Sequence, residues 1–171
     1  MSVFHSISAF CNAGFDILGT TDHTFVSLTG YSRNIWLNIV IMLLIILGGI
    51  GFLTWEDFYT NKFKFKRYRM QSKVLLITTA ILLISPAVFF FACDFGNLPA
   101  GKRLLASVFQ SVTTRTAGFN TEDLSLMTEA GKAVMILLML IGGSPSSTAG
   151  GMKTTTFAVL ILNALATFRN R

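Results

Sequence analysis

The chain is poor in charged residues: only 13% of its 171 residues are Asp, Glu, Lys or Arg, whereas 52% are hydrophobic. A soluble domain usually has about a quarter charged residues. The apolar residues also occur in blocks rather than at the spacing of a helix or strand with one core-facing side. These features exclude an ordinary soluble domain and indicate a membrane protein.

Cysteine is equally scarce, and the sequence has no recognisable signal peptide. Cys11 and Cys93 lack the spacing of a metal site. Both are expected near the outer face, where either a disulfide or two small buried hydrophobic residues would account for them. The N-terminus lacks a basic region followed by a continuous apolar stretch. Because Met1 stands almost directly before a short apolar segment, we expect the sequence to be a fragment of a longer protein.

The net charge of +6 is concentrated in one segment between two apolar blocks. The positive-inside rule places this segment, residues 56–73, in the cytoplasm. A patch that binds anionic lipid or docks a partner is the alternative interpretation, and no nucleic-acid partner is expected. The basic residues of the segment are Lys62, Lys64, Lys66, Arg67, Arg69 and Lys73.

The apolar blocks predict membrane-spanning helices. Residues 34–55 and 74–93 each have about the twenty residues that a span requires. We expect the first to be uninterrupted, and Pro86 can kink the second. Residues 133–168 contain a single charge, Lys153, but include GGSPSSTAGG at 142–151, which an unbroken helix disfavours. We therefore predict a helix to Ile141, an irregular loop at membrane depth and a second helix from Thr154. Such a loop persists only where it is buried in protein or lines a water-filled cavity.

Two short segments resemble each other. VFHSIS at 3–8 followed by AGFD at 13–16 aligns with VFQSVT at 108–113 followed by AGFN at 117–120, with one residue of slack between the two parts. Each is too short to cross a bilayer and precedes a segment that can. This pattern predicts two re-entrant pore loops, with pore helices at 2–11 and 104–114. The fold class is therefore an all-α membrane protein of span–pore loop–span repeats with re-entrant pore helices and one broken helix, present in part.

The turns after these pore helices are the candidate ion filter. A filter replaces the water around a cation with backbone carbonyl oxygens, and glycine accepts the backbone angles that aim them inward. We expect Gly14 and Gly118 to be the pivotal residues and the phenylalanines to pack behind the filter; the plainer alternative is a common tight turn. The filter residues are Asn12, Ala13, Gly14, Phe15, Thr116, Ala117, Gly118 and Phe119. K+ would bind the backbone oxygens of Asn12, Ala13, Gly14, Thr116, Ala117 and Gly118.

Two cations near the candidate pathway need an explanation. Arg115 would repel a permeant cation, so we expect its guanidinium to turn away from the axis toward Asp94, Glu122 or Asp123. Lys153, together with the irregular loop, would form a barrier to cations, and the alternative is that it extends to the inner interface.

An intramembrane hydrolase is the alternative from another functional class. Ser144, Ser146 or Ser147 would be the nucleophile, and activation needs a base within hydrogen-bond reach. His5 and His23 lie in the other repeat, which leaves Lys153 as the nearby base. A non-conducting truncated remnant is a third alternative. We favour transport over both and expect no enzyme activity.

Three stretches resemble the bacterial Trk/Ktr potassium-uptake family, which is related to the plant HKT transporters. They are SISAFCNAGFD at 6–16, SVTTRTAGFNT at 111–121 and GGSPSSTAGGMKTTT at 142–156. The resemblance implies four span–pore loop–span repeats around one pore. Residues 1–55 would then be the second pore loop and its following helix, 56–73 the cytoplasmic loop, and 74–171 the third repeat.

The resemblance also implies a function and partners. K+, with Na+ as the alternative ion, would enter through the filter, and the chain itself would need no cofactor. The partners would be the lipid bilayer of a bacterial cell membrane, the remaining repeats, a second copy in a homodimer and a cytoplasmic nucleotide-binding regulatory subunit. Residues 142–153 would be an intramembrane gate, with Gly142, Gly143, Ser144, Gly150, Gly151 and Lys153 as its residues.

Overall fold

The computed structural model describes residues 1–19, 26–62 and 64–169. Within these ranges the chain is helical, and its only extended pairing is an isolated bridge between Ile141 and Met152. Short 3₁₀ turns lie at Thr29–Tyr31, Phe65–Arg67 and Leu124–Leu126. The α-helices are α1 (Ser2–Phe10), α2 (Ile35–Ile50), α3 (Phe52–Asn61), α4 (Met70–Cys93), α5 (Ala100–Thr116), α6 (Glu129–Leu140) and α7 (Thr154–Arg169).

Among the described residues, α4 is the one continuous helix that is long and apolar enough to cross a membrane. It continues through Pro86 without interruption. α2 and α3 meet the same criterion only as a pair, because they are bent by 94° where they join. The described part of the chain thus contains one continuous candidate span, one strongly bent candidate pair and the shorter apolar helix α7.

The prediction of a continuous helix over 34–55 is wrong, because the chain breaks at Gly51. This residue has a φ of +88°, which a side chain disfavours, and it separates α2 from α3. A Cβ at this position would lie 2.3 Å from Oγ of Ser144 and 2.6 Å from the carbonyl oxygen of Pro145. The break at Gly51 therefore involves a tertiary contact with the stretch between α6 and α7, which contains Ser144 and Pro145.

The interruption of the later helix is present. α6 ends at Leu140 and α7 begins at Thr154, so residues 141–153 form an irregular segment between them. α5 is longer than the predicted pore helix, since it begins at Ala100 and continues through Thr116. Both cysteine expectations are wrong: Cys11 and Cys93 are free thiols and exposed rather than bonded or buried.

Two apolar clusters hold the helices together. The first joins α1, α2 and α5 and includes Ala9, Ile41, Ile45 and the fully buried Phe109. The second surrounds the fully buried Phe90 of α4 and involves residues from α5 and α6. Because α5 contributes to both clusters, its C-terminal end has a fixed position between the two halves of the chain.

Candidate ion pathway

The first candidate filter loop is a tight return directly after α1. The amide of Ala13 donates to the carbonyl of Ser8 at 2.9 Å, which closes the helix end. Asn12 and Gly14 then adopt φ values of +53° and +69°. The Ser8 hydroxyl donates to the carbonyl oxygen of Phe15 at 2.9 Å, so the buried serine ties the end of the turn back to the helix.

The second loop repeats this construction after α5. The amides of Ala117 and Gly118 both donate to the carbonyl of Thr113, at 3.0 and 3.1 Å, and Gly118 has a φ of +84°. The Thr113 hydroxyl donates to the carbonyl oxygen of Phe119 at 2.8 Å. Ser8 and Thr113 are equivalent in the two aligned segments, so a hydroxyl group supports the same turn in both copies. The role of this pair was not predicted, although a hydroxyl residue at the same aligned position was its signal in the sequence.

The two loops contact each other. A Cβ on Gly14 would lie only 1.8 Å from the carbonyl oxygen of Ala117, so a glycine is required there. The hydroxyl of Thr116 donates to Oδ1 of Asn12 at 2.6 Å, across 104 residues of sequence. By contrast, no described atom lies within 4 Å of a Cβ on Gly118, which therefore faces open space.

The two phenylalanines of these loops have different environments. Phe119 is fully buried, whereas Phe15 is 70% exposed. The sequence predicted the same role for both. The difference follows from their neighbours: Phe119 joins the cluster of α1, α2 and α5, but Phe15 has no place in either cluster formed by the described residues.

Residues 141–153 form a closed irregular segment whose backbone groups pair with one another. The amide of Gly142 donates to the carbonyl of Met152 at 2.9 Å, and that of Gly143 to Gly150 at 3.3 Å. A Cβ on Gly142 would lie 1.7 Å from the Gly150 carbonyl oxygen. The two ends of the segment therefore lie so close together that only glycine fits at this position. Internal pairing of this kind lets non-helical backbone lie at membrane depth.

This segment also supplies partners to the break between α2 and α3. The buried Ser144 donates from its amide and from its hydroxyl to the carbonyl of Gly49, each at 3.0 Å, and its hydroxyl also contacts the carbonyl of Ile50. In return, the amide of Phe52 donates to the carbonyl of Ser146 at 3.0 Å. Each break therefore satisfies backbone groups that the other leaves without a helical partner.

Thr148 connects the irregular segment to α2 and to the first candidate filter loop. Its hydroxyl lies 2.9 Å from the carbonyl oxygen of Phe10 and 3.2 Å from that of Gly48. The side-chain Nδ2 of Asn12 donates to the same hydroxyl at 3.2 Å. Since Asn12 also accepts from Thr116, a chain of side-chain hydrogen bonds runs from the second loop through the first to the irregular segment.

Arg115 is buried against the irregular segment, and the prediction of outer carboxylate partners for it is wrong. Its Nη2 donates to the carbonyl oxygen of Gly142 at 3.1 Å, and the side chain is 9% exposed. The reason is that α5 remains helical through Thr116, which directs Arg115 toward the irregular segment. The three expected carboxylates bind elsewhere: Asp94 accepts from Thr128, Glu122 pairs with Lys102 at 2.9 Å, and Asp123 accepts from the amide of Ser125. This last hydrogen bond lowers the pKa of Asp123.

Ser144, Ser147 and Lys153 bond to backbone carbonyls rather than to each other. Lys153 donates from Nζ to the carbonyl of Ala149 at 2.9 Å. The hydroxyls of Ser144 and Ser147 donate to backbone carbonyls, and His5 interacts with the carbonyl of Met1. His23 lies outside the described residues. Among the described residues no hydrogen bond joins Lys153 to a serine, so the geometry does not support this alternative.

Comparison with known proteins agrees with this architecture. Residues 1–171 match the family TrkH, described as a cation transport protein. The potassium/sodium uptake protein NtpJ of Enterococcus hirae is 41% identical over 175 residues, which cover 99% of this chain and 37% of NtpJ. The Ktr system potassium uptake protein B of Bacillus subtilis is 38% identical over 176 residues, which cover 99% of this chain and 38% of that protein. The chain thus spans a little over a third of the length of these relatives.

A solved structure confirms the fold. The potassium transporter TrkH from Vibrio parahaemolyticus superposes with a TM-score of 0.77 at 18% identity, over 98% of this chain and 35% of that one. The predicted all-α membrane fold and the location in a cell membrane as part of a multi-pass protein are confirmed. The chain belongs to the TrkH family of cation transport proteins.

Proposed function

We propose that the protein to which this chain contributes takes up K+, with Na+ as the alternative ion, through a pore lined by the carbonyls of the two filter loops. The observation that carries this proposal is the pair of facing turns after α1 and α5, each with a positive-φ glycine and a hydroxyl that supports it. A cation that sheds water needs such uncharged oxygens at fixed positions. The names of the relatives NtpJ and Ktr protein B, as uptake proteins for potassium, support the choice of ion.

The irregular segment 141–153 would act as the gate. Its support is the chain of hydrogen bonds through Thr148 and Asn12 to the filter loops, together with the bond from Arg115 to Gly142. Held by these hydrogen bonds, the segment would block the ion pathway. Movement of the segment away from the loops would open the pathway. Lys153 lies at its end and would add an electrostatic barrier to cations.

Further chains would complete the transporter. Two relatives of this chain are named as components of Ktr systems, which supports an assembly with other subunits. The remaining repeats would complete the pore, and a second copy and a cytoplasmic nucleotide-binding regulatory subunit would complete the assembly.

The proposal is tested with the full-length protein in a host that cannot take up potassium. Gly118→Asp is the informative variant, because no described atom obstructs a side chain at this position and aspartate tolerates positive φ better than most residues. We expect normal membrane levels and loss of growth rescue. Gly96→Ala, another unobstructed glycine but in the loop after α4, is the matched control and should rescue fully. Unchanged rescue by Gly118→Asp would count against the filter, and no rescue by the wild type would favour the non-conducting alternative.

A further inference from the structure

The 94° bend between α2 and α3 gives the segment after the span an unusual orientation. If α2 crosses the bilayer, α3 runs along the membrane plane at the level where α2 ends. The buried side of α3 is narrow and contains Thr54 and Asp57, while large apolar residues project elsewhere. Phe52, Trp55 and Tyr59 are 62%, 37% and 89% exposed. Aromatic side chains in this position favour the boundary between acyl chains and headgroups.

Four cations follow α3 directly and remain without a carboxylate partner. Lys62, Lys64, Lys66 and Arg67, here called the basic patch, are all exposed, and no ion pair within the described ranges involves any of them. The two acidic residues nearby are already engaged: Arg69 lies 3.2 Å from Glu56 and 3.5 Å from Asp57. The positive charge of the patch is therefore not neutralised locally.

Hydrogen bonds hold the backbone carbonyls of Lys62 and Lys66 in the basic patch. The hydroxyl of the buried Tyr68 donates to the carbonyl of Lys62, and Nζ of Lys73 donates to that of Lys66 at 2.8 Å. Asp57 accepts from the amide of Arg69 at 3.1 Å and from the hydroxyl of Ser72 at 2.6 Å, which fixes the start of α4 against α3. The cations are thus presented on a formed surface rather than on an unrestrained linker, which lowers the entropy cost of binding.

We propose that α3 and the basic patch form a binding site for the headgroups of anionic phospholipids in the inner leaflet. The patch supplies the cations, and the exposed aromatic residues of α3 lie beside the acyl chains of the same lipids. An acidic protein surface could also neutralise the patch. The orientation of α3 favours lipid instead, because a protein partner would not require this helix and its exposed aromatic residues to lie in the membrane plane. Clusters of four or more cations next to the cytoplasmic end of a span are sufficient for such recognition.

Trypsin provides a local test, because it cleaves after the residues of the basic patch. The full-length protein is placed in nanodiscs of phosphatidylcholine alone or with phosphatidylglycerol, and cleavage within 62–67 is followed by mass spectrometry. We expect phosphatidylglycerol to slow this cleavage by about tenfold or more, and high salt to restore it. Cleavage after Lys132, which pairs with Glu129 at 3.0 Å on α6, is the internal control and should not change.

A variant tests the same site independently of the protease. Replacing all four patch residues by glutamine should abolish the preferential retention of phosphatidylglycerol over phosphatidylcholine in native mass spectrometry, whereas Lys132→Gln should retain it. Equal cleavage in the two lipid mixtures would refute the proposal. So would protection that depends on an added cytosolic protein and not on lipid composition, which would make the patch a protein-docking surface.

Discussion

Thr148→Val isolates the link between the irregular segment and the filter loops. Valine preserves the size of the side chain but removes the hydroxyl that lies near the carbonyls of Phe10 and Gly48 and accepts from Asn12. A hydroxyl has one proton, so it can fully donate to only one of the two carbonyls at a time. The substitution therefore removes two hydrogen bonds: one donated and one accepted.

The size of the effect follows from these two bonds. A hydrogen bond contributes about 0.5–1.5 kcal/mol net, and Thr148 is exposed, which favours the lower half of that range. If the two bonds together stabilise the observed position of the proposed gate by about 1.4 kcal/mol, their removal would raise the ratio of open to closed segment about tenfold. If closure limits transport, the initial rate of K+ uptake by the full-length protein in vesicles should rise by up to the same factor.

The matched control is Thr167→Val on α7. The hydroxyl of Thr167 donates to the carbonyl of Asn163 at 2.9 Å within the same exposed helix, away from the loops. This variant should leave uptake at the wild-type rate. If Thr148→Val, incorporated to the same level, transports at the wild-type rate or more slowly, the segment does not hold the pathway closed through this residue.

Two further substitutions test the packing around the loops. Gly14→Ala should abolish uptake and reduce the yield of folded protein, because its Cβ would lie 1.8 Å from the Ala117 carbonyl oxygen at a φ of +69°. Gly30→Ala is the control and should match the wild type, since no described atom lies within 4 Å of a Cβ there. Normal uptake by Gly14→Ala would contradict the contact between the two loops. Arg115→Met should lower the melting temperature of the full-length protein in detergent, because it removes the hydrogen bond to Gly142, which contributes about 1.5–3 kcal/mol. The opposing term is the desolvation of the guanidinium, whose Nε has no partner among the described residues, so a raised melting temperature would show that desolvation is the larger effect.

The repeated loops and the later helix break could be predicted from the sequence because their signals are local. GGSPSSTAGG at 142–151 contains proline and four glycines, which disfavour a helix in any context. The two loops were found by their similarity to each other. Their positive-φ glycines followed from the requirements of a tight turn after a short helix.

The break at Gly51 could not be predicted in this way. Its surroundings, ILGGIGFL, contain neither proline nor a run of polar residues, and glycine is tolerated in membrane helices. The break is held by hydrogen bonds to residues far away in sequence, from Ser144 to the carbonyl of Gly49 and from Phe52 to the carbonyl of Ser146. The inward direction of Arg115 has a similar origin, since its partner Gly142 lies 27 residues away. Contacts of this kind depend on the assembled helices rather than on any single segment.

These same contacts constrain how the irregular segment can move. The carbonyls of Gly48 and Gly49 receive hydrogen bonds from Thr148 and Ser144, and a Cβ on Gly48 would lie 1.9 Å from the carbonyl of Phe10, so the end of α2 presses against the first loop. Withdrawal of the segment would leave these carbonyls without donors, at a cost of about 1–3 kcal/mol for each buried group. Water is the one donor that can replace them in a pore. Opening of the segment and entry of water between α2 and the loop after α1 should therefore be a single event, as the proposed gating function requires.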